Sequence, residues 1–224
     1  MTDDLTNRAV EARRALAQAL TGTGDLTDPD WRRAFEEVPR HVFVPYFYAP
    51  SGERISANDP ATQEQWFTAV HEDRSLVTHR TDGAATSSSS QPSLMATMLE
   101  ALTVVDGLNV LEIGAGTGYN AALLAHRLGD DHVATVDIAE DITGPARERL
   151  ATAGYRPTVI TGDGCLLGFC GRQGPGQIPQ LRIDRSFDPL VVGSSPTRST
   201  TRPRPGRVFR AGAAFRAWVI LYVS

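Results

Sequence analysis

Cysteine is scarce in this sequence: Cys165 and Cys170 are the only two among 224 residues. Two thiols cannot make a disulfide framework, and their spacing is not C-x-x-C, so neither a stapled scaffold nor a redox motif is expected. Long apolar runs are lacking as well. The longest late run, "AWVILYV" (217–223), is far too short to cross a bilayer. The opening "MTDDLTNRAVEARR" is polar and acidic, unlike a signal peptide. A cytoplasmic location without a membrane partner is the expectation. Positive charge is not in excess: the net charge is −4 and the pI about 5.7, which gives no footprint for nucleic acid. Lysine is absent, all 22 basic residues being arginine, which fits a GC-rich coding bias. The five histidines (His41, His71, His79, His126, His132) show no ligand spacing, so no metal is expected.

What is present is a globular composition, with 41% hydrophobic and 21% charged residues. The length suits one large domain or two small ones. Charge is distributed unevenly. Residues 1–164 hold 13 Arg against 24 acidic residues, whereas residues 165–224 hold 9 Arg against two Asp. Both cysteines and 6 of the 14 prolines fall in that last segment. A basic tail could bind an acidic partner, but the abrupt shift after Gly164 points to a different kind of sequence.

Before that seam the chain is organised. Helical spacing runs over Thr6–Leu20, with Gly22 and Gly24 closing it. "DPDWRRAFEEVPR" reads as a second helix capped by Asp28, with Trp31, Phe35 and Val38 on one face. "HVFVPYFY" is a short aromatic run, and residues 50–86 are polar and turn-rich without clear periodicity. "QPSLMATMLEAL" begins a helix with Pro92 in its first turn and a stripe of Leu94, Met98 and Leu102. From Leu108 onward strands and helices alternate: "NVLEIGA", "GYNAALLAHRLG", "HVATVDI", "ITGPARERLATAG", "PTVITGD". Short links between alternating elements predict right-handed βαβ units and a parallel sheet.

Three glycines, Gly114, Gly116 and Gly118, lie between the first of these strands and its helix. Glycines allow a tight turn and the close approach of a ligand, at the sheet edge where such folds bind ligands. A shifted frame, Gly116-x-Gly118-x-x-Ala121, fits the dinucleotide fingerprint loosely, but that loop normally has no acid inside it. Here Glu112 sits two residues before Gly114, and E-x-G-x-G-x-G resembles motif I of S-adenosylmethionine methyltransferases. Asp137 ends the second strand, where a carboxylate can accept both ribose hydroxyls. Asp163 ends the third, where that family places an acceptor for the adenine edge.

Further motifs extend the likeness. "VPRHVFVP" (38–45), "EDRSL" (72–76) and "SSQPSLMATMLEAL" (89–102) resemble, in order and spacing, protein-L-isoaspartate O-methyltransferases. The resemblance covers about residues 25–164. Where the family has Thr-x-Ser before the Gln-Pro pair, this chain has Ser88, Ser89 and Ser90, which keeps the hydroxyls. Ser90 matches the family's active-site hydroxyl, although these serines could equally cap the helix at Pro92. His41 belongs to the VPRH motif and is expected to pack or hydrogen-bond. The chemistry agrees with the likeness: a carboxylate with a pKa near 4 is ionised at neutral pH, so its methylation needs positioning and a dry site, and no general base.

The resemblance implies an α/β, Rossmann-like S-adenosylmethionine methyltransferase core with an N-terminal helical extension, incomplete at its C-terminus. Residues 1–86 form the substrate-side extension, 87–164 the cofactor-binding βαβαβ core, and 165–224 an aberrant tail. The family's later strands have no clear counterpart in that tail. One back-translation of "VVGSSPTR" (191–198) resembles the T-arm of a transfer RNA gene, as if the reading frame had shifted. The tail is therefore expected to be disordered and not to complete the sheet. The implied function is carboxyl O-methylation of L-isoaspartyl residues in proteins or peptides, a repair reaction, with S-adenosyl-L-methionine as cofactor. The alternatives are methylation of an Asp side chain in a ribosomally made, modified peptide, which the "SSSSQPSLM" variant suggests, and an inactive fragment.

Overall fold

The computed structural model describes residues 3–163 together with three strand segments at 191–193, 207–208 and 217–221. The N-terminal helix α1 spans Asp3–Thr23, longer at both ends than its expected span. Helix α2 (Pro29–Glu37) starts as the sequence predicts: an Asp28 side-chain oxygen accepts from the Asp30 and Trp31 amides, and Pro29 occupies the first helical position. Trp31, Phe35 and Val38 are all buried. The short helix α3 (Arg40–Phe43) follows directly.

The stretch read as irregular is a small antiparallel sheet. It contains β1 (Tyr46–Tyr48), β2 (Arg54–Ser56), β3 (Leu76–Thr81) and β4 (Ala84–Ser89) in the order β2-β1-β3-β4, with helix α4 (Gln63–His71) inserted. The N-terminal extension is thus helical and β-stranded together. It encloses its own apolar cluster, including Val44, Phe47, Ile55, Trp66, Val70 and Leu76.

Helix α5 (Pro92–Ala101) follows β4. Its buried face carries Met95, Ala96 and Leu99; of the expected stripe, Leu102 at the cap is buried and Met98 packs half-buried, while Leu94 is 50% exposed. Periodicity alone fixes the width of such a stripe better than its phase. The acid Glu100 on this helix accepts from the Thr27 and Asp28 amides and the Thr27 hydroxyl, fixing α5 to the start of α2.

The alternating region folds as expected into β5 (Asn109–Ile113), α6 (Tyr119–Leu128), β6 (Val133–Asp137), α7 (Glu140–Thr152) and β7 (Thr158–Thr161). Strands β5, β6 and β7 pair in parallel. Three more strands lie beyond Gly164: β8 (Val191–Gly193), β9 (Arg207–Val208) and β10 (Ala217–Leu221). The sheet order is β7-β6-β5-β10-β8-β9. Strand β10 lies parallel to β5, from Ala217 opposite Asn109 to Leu221 opposite Ile113.

The expectation that residues 165–224 leave the sheet uncompleted is therefore corrected. A central parallel strand is a short continuous apolar run, and "AWVIL" is one. The prolines and arginines around it argue against regular structure locally, but they do not prevent a five-residue run from pairing with the open side of β5. The rest of this segment, and with it the expectation of disorder, lies outside the described residues.

Candidate active site

A cavity of about 450 Å³ opens at the C-terminal ends of β5, β6 and β7, with β4 as its opposite wall. All but one of the residues singled out from the sequence line it: Ser90, Glu112, Gly114, Gly116, Asp137 and Asp163; Gly118 does not, and stands at the start of α6. The loop between β5 and α6 is pinned at its entrance, where the Gly114 and Ala115 amides donate to the Val136 carbonyl.

Two glycines take the left-handed backbone conformation, and at Gly118 space is short as well. Gly116 has φ +50°, and a Cβ there would stand 3.8 Å from Ser87 Oγ and 3.9 Å from the Ser88 carbonyl, narrowing the cavity between loop and β4. Gly118 has φ +86°, and its Cβ would be 3.3 Å from both the Ala146 carbonyl and Leu150 Cγ of α7. A side chain there would be strained in conformation and would push the two helices apart.

The acids play different parts. Asp137 Oδ2 accepts from the Gly116 amide at 3.1 Å and Oδ1 from the Ile138 amide at 2.9 Å, so its carboxylate braces the glycine loop at the cavity edge. Asp163 stands at the end of β7 with its side chain toward solvent and cavity. Glu112 is fully buried beneath the loop. Asn120 Nδ2 donates to its Oε1 at 2.9 Å and the Thr135 hydroxyl to its Oε2 at 2.6 Å. Glu112 thus ties β5 to β6 and to α6.

Burial raises the Glu112 pKa to about 7, against the opposing effect of those two hydrogen bonds. The folded value lies above the unfolded one, so the contribution to stability is complete below the unfolded pKa of 4.5 and is lost as pH rises through about 7. Glu112→Gln keeps the shape and lets the Thr135 hydroxyl rotate to accept. It is expected to flatten the stability profile between pH 4.5 and 7. At pH 8 it should raise stability by about 3 kcal/mol, the free-energy equivalent of moving a carboxyl pKa from 4.5 to about 7. Thermal melts across pH check this; a parallel profile in the variant would refute it.

Ser90 lies in the two-residue link between β4 and α5. The alternative of a helix cap is answered by the structure. The residue at the cap position is Gln91, which makes no side-chain capping bond, and the Ser93 amide donates instead to Asp73 Oδ1 at 2.7 Å. Gln91 Nε2 donates to the other oxygen of Asp73 at 3.0 Å. The acid of "EDRSL" is therefore the cap, and the Ser90 hydroxyl has no part in that cap.

Sequence reasoning missed the residue that joins these motifs. Arg40 of VPRH is 1% exposed. Its Nη1 donates to the carbonyls of Val70 and Glu72, and its Nη2 to those of Arg74 and Ser90, each at 3.1 Å. One guanidinium thus fixes the end of α4, the approach to β3, and the serine turn. Its position within VPRH, next to the histidine, is the available signal. His41 itself is buried beside His71, with ring centroids 5.9 Å apart, and burial lowers its pKa to about 4. It packs, as expected. Ile138 was also missed: it is 74% exposed at the cavity, an apolar surface next to Asp137.

Comparison with known proteins adds to this picture. Residues 11–172 match the family model described as Protein-L-isoaspartate(D-aspartate) O-methyltransferase. A protein-L-isoaspartate O-methyltransferase of Ignicoccus hospitalis is 32% identical over 156 residues, which are 69% of this chain and 63% of that protein. One from Azorhizobium caulinodans is 33% identical over 213 residues, 94% of this chain and 81% of its own length, a span that takes in most of residues 165–224. A solved structure described as a protein-L-isoaspartate O-methyltransferase has a TM-score of 0.54 at 31% identity, over 68% of this chain and 42% of that one. Against most of these relatives the chain spans less than two thirds of their length.

Proposed function

The chain belongs to the protein-L-isoaspartate O-methyltransferase family, and from that premise we propose that it transfers a methyl group from S-adenosyl-L-methionine to the free carboxylate of isoaspartyl residues in proteins or peptides, a repair-type reaction. The observation that carries the reading is that the glycine loop, the strand-end acids and the serine turn share one cavity. When bound, the cofactor supplies an electrophilic methyl on a sulfonium.

The residues present suit it. The space at Gly116 that a Cβ would take leaves room for the amino-acid end of the ligand against the loop backbone. Asp137 stands where ribose hydroxyls would donate, Asp163 where an adenine amine would, and exposed Ile138 offers an apolar face to the ring. The carboxylates of Asp137 and Asp163 at the cavity favour a cationic ligand. The acceptor carboxylate is already ionised, so the chain's task is orientation and exclusion of water. The Ser90 hydroxyl donates to that carboxylate and sets its line of approach.

Calorimetry with S-adenosylhomocysteine and with NAD tests the cofactor, and transfer of labelled methyl to an isoaspartyl peptide tests the activity. Binding of NAD alone, or no transfer, defeats the reading. Ser90→Ala is expected to lower turnover roughly ten- to a hundredfold, the range for one hydrogen bond to a charged group, with S-adenosylhomocysteine affinity within about twofold. Since Asp73 caps α5, equal turnover in this variant would leave Ser90 without a function.

A further inference from the structure

The cavity has one feature beyond the residues assigned above to the cofactor. Among the described residues lining it, His79 is the sole side chain able to carry positive charge, against four carboxyl groups. Its neighbour Arg80 turns away to the hairpin tip, where its guanidinium donates to the Gly83 carbonyl. The field that suits a sulfonium opposes an anionic acceptor, so that acceptor needs a local donor.

His79 is built to be aimed. The β3–β4 ladder shifts register on both sides of it: Val77 faces Ser88, His79 faces Ser87, and Arg80 faces Ala85. Paired irregularities of this kind redirect a side chain. The ring is then held at one nitrogen, with Nδ1 2.7 Å from Thr86 Oγ1, which lies 3.4 Å from Thr81 Oγ1. If the Thr86 hydroxyl donates, Nδ1 is the acceptor and the proton sits on Nε2, the nitrogen nearer Asp141 of the cavity lining. Nε2 lies 3.6 Å from Asp141 Oδ2 of α7, whose side chain is 65% exposed. That contact is long, and its acid is largely solvated, so it is readily exchanged. Thr86, Ser88 and Ser90 occupy alternate positions along β4 and its continuation, so a row of hydroxyls leads from His79 to the serine turn.

We propose that His79 docks the acceptor carboxylate, an inference that rests on the methyltransferase reading above. Nε2–H leaves Asp141 and donates to the carboxylate oxygen that does not take the methyl. In the transfer a carbon–oxygen bond forms as the carbon–sulfur bond breaks, the electron pair of that bond stays on sulfur, and no proton moves. The sulfonium and carboxylate charges vanish together. The neutral ester is a weaker acceptor, and His79 returns to Asp141 as the product leaves.

The test uses the full chain saturated with S-adenosylhomocysteine and two peptides, one with an isoaspartyl carboxylate and one with that group as an amide. Fluorescence anisotropy reads their binding, and methyl transfer is measured separately. The wild-type chain should prefer the acid by about tenfold or more, the scale of one hydrogen bond to a charged group. His79→Gln should lose that preference and raise KM by a similar factor, with S-adenosylhomocysteine affinity unchanged. Asp141→Asn, which frees the imidazole, should leave KM equal or lower. If the contact were only a structural clasp, both variants would raise KM together, and that result overturns the proposal. So does an unaltered acid preference in His79→Gln, or its absence in the wild type. Acid preference without any methyl transfer would defeat the functional reading and leave this inference standing.

Discussion

Replacing Arg40 with alanine is expected to lower the melting temperature by roughly 10 °C, the largest effect of any single change considered in this chain. The guanidinium serves four backbone carbonyls, those of Val70, Glu72, Arg74 and Ser90. Removing it strands several part-buried acceptors and leaves a side-chain-sized void, which together cost about 3–5 kcal/mol. For a chain of this size, each kcal/mol moves the midpoint by about 2–4 °C. Arg40→Lys should recover little, since an ammonium is a compact donor and cannot reach four acceptors spread over a planar fork. Calorimetric melting decides the matter. A midpoint unchanged in Arg40→Ala would mean that the three segments hold together without it.

Asp137→Ala is expected to weaken S-adenosylhomocysteine binding by about 1–3 kcal/mol, or roughly ten- to a hundredfold, from the loss of charge-assisted hydrogen bonds. The carboxylate already accepts from the Gly116 and Ile138 amides, so it braces the loop; in the proposed reading it also accepts from the ribose hydroxyls. Because its surroundings are only part-buried, the unliganded melting temperature should fall by no more than about 3 °C, corresponding to under 1 kcal/mol. Titration calorimetry beside melting separates the two roles. Full affinity in the variant would remove Asp137 from the site.

The parallel core could be read from the sequence because its signals are local. Each strand is a short apolar run, each helix ends at a glycine, and the links are brief, so β5 to β7 and their helices fall out of pattern alone. The small sheet could not be read that way. Its strands are three to six residues long, and β4 is the polar run "AATSSS", whose pairing with β3 is decided by tertiary partners. The serine turn was ambiguous because a hydroxyl before Pro92 suits a cap as well as a site; the answer lay with Asp73, distant in sequence. Arg40 acts on carbonyls 30 to 50 residues away, a relation that no spacing rule encodes. The run at 217–221 is visibly apolar, but its partner β5 lies over a hundred positions earlier, and the arginine- and proline-rich surroundings point away from a strand.

That last pairing has a consequence for how the molecule is made. Strand β10 enters the sheet between β5 and β8, beside the strand that carries the cofactor loop. During synthesis from the N-terminus, β5, β6 and β7 are complete while one side of β5 still has nothing to bond to. Its amides and carbonyls wait for residues 217–221, more than a hundred positions further along the chain. Until then the nascent chain presents an open apolar edge, the kind that pairs with a neighbouring chain when many ribosomes work close together. Slow closure of so distant a contact lengthens that interval. The yield of properly assembled protein should therefore respond to translation temperature and to chaperone supply.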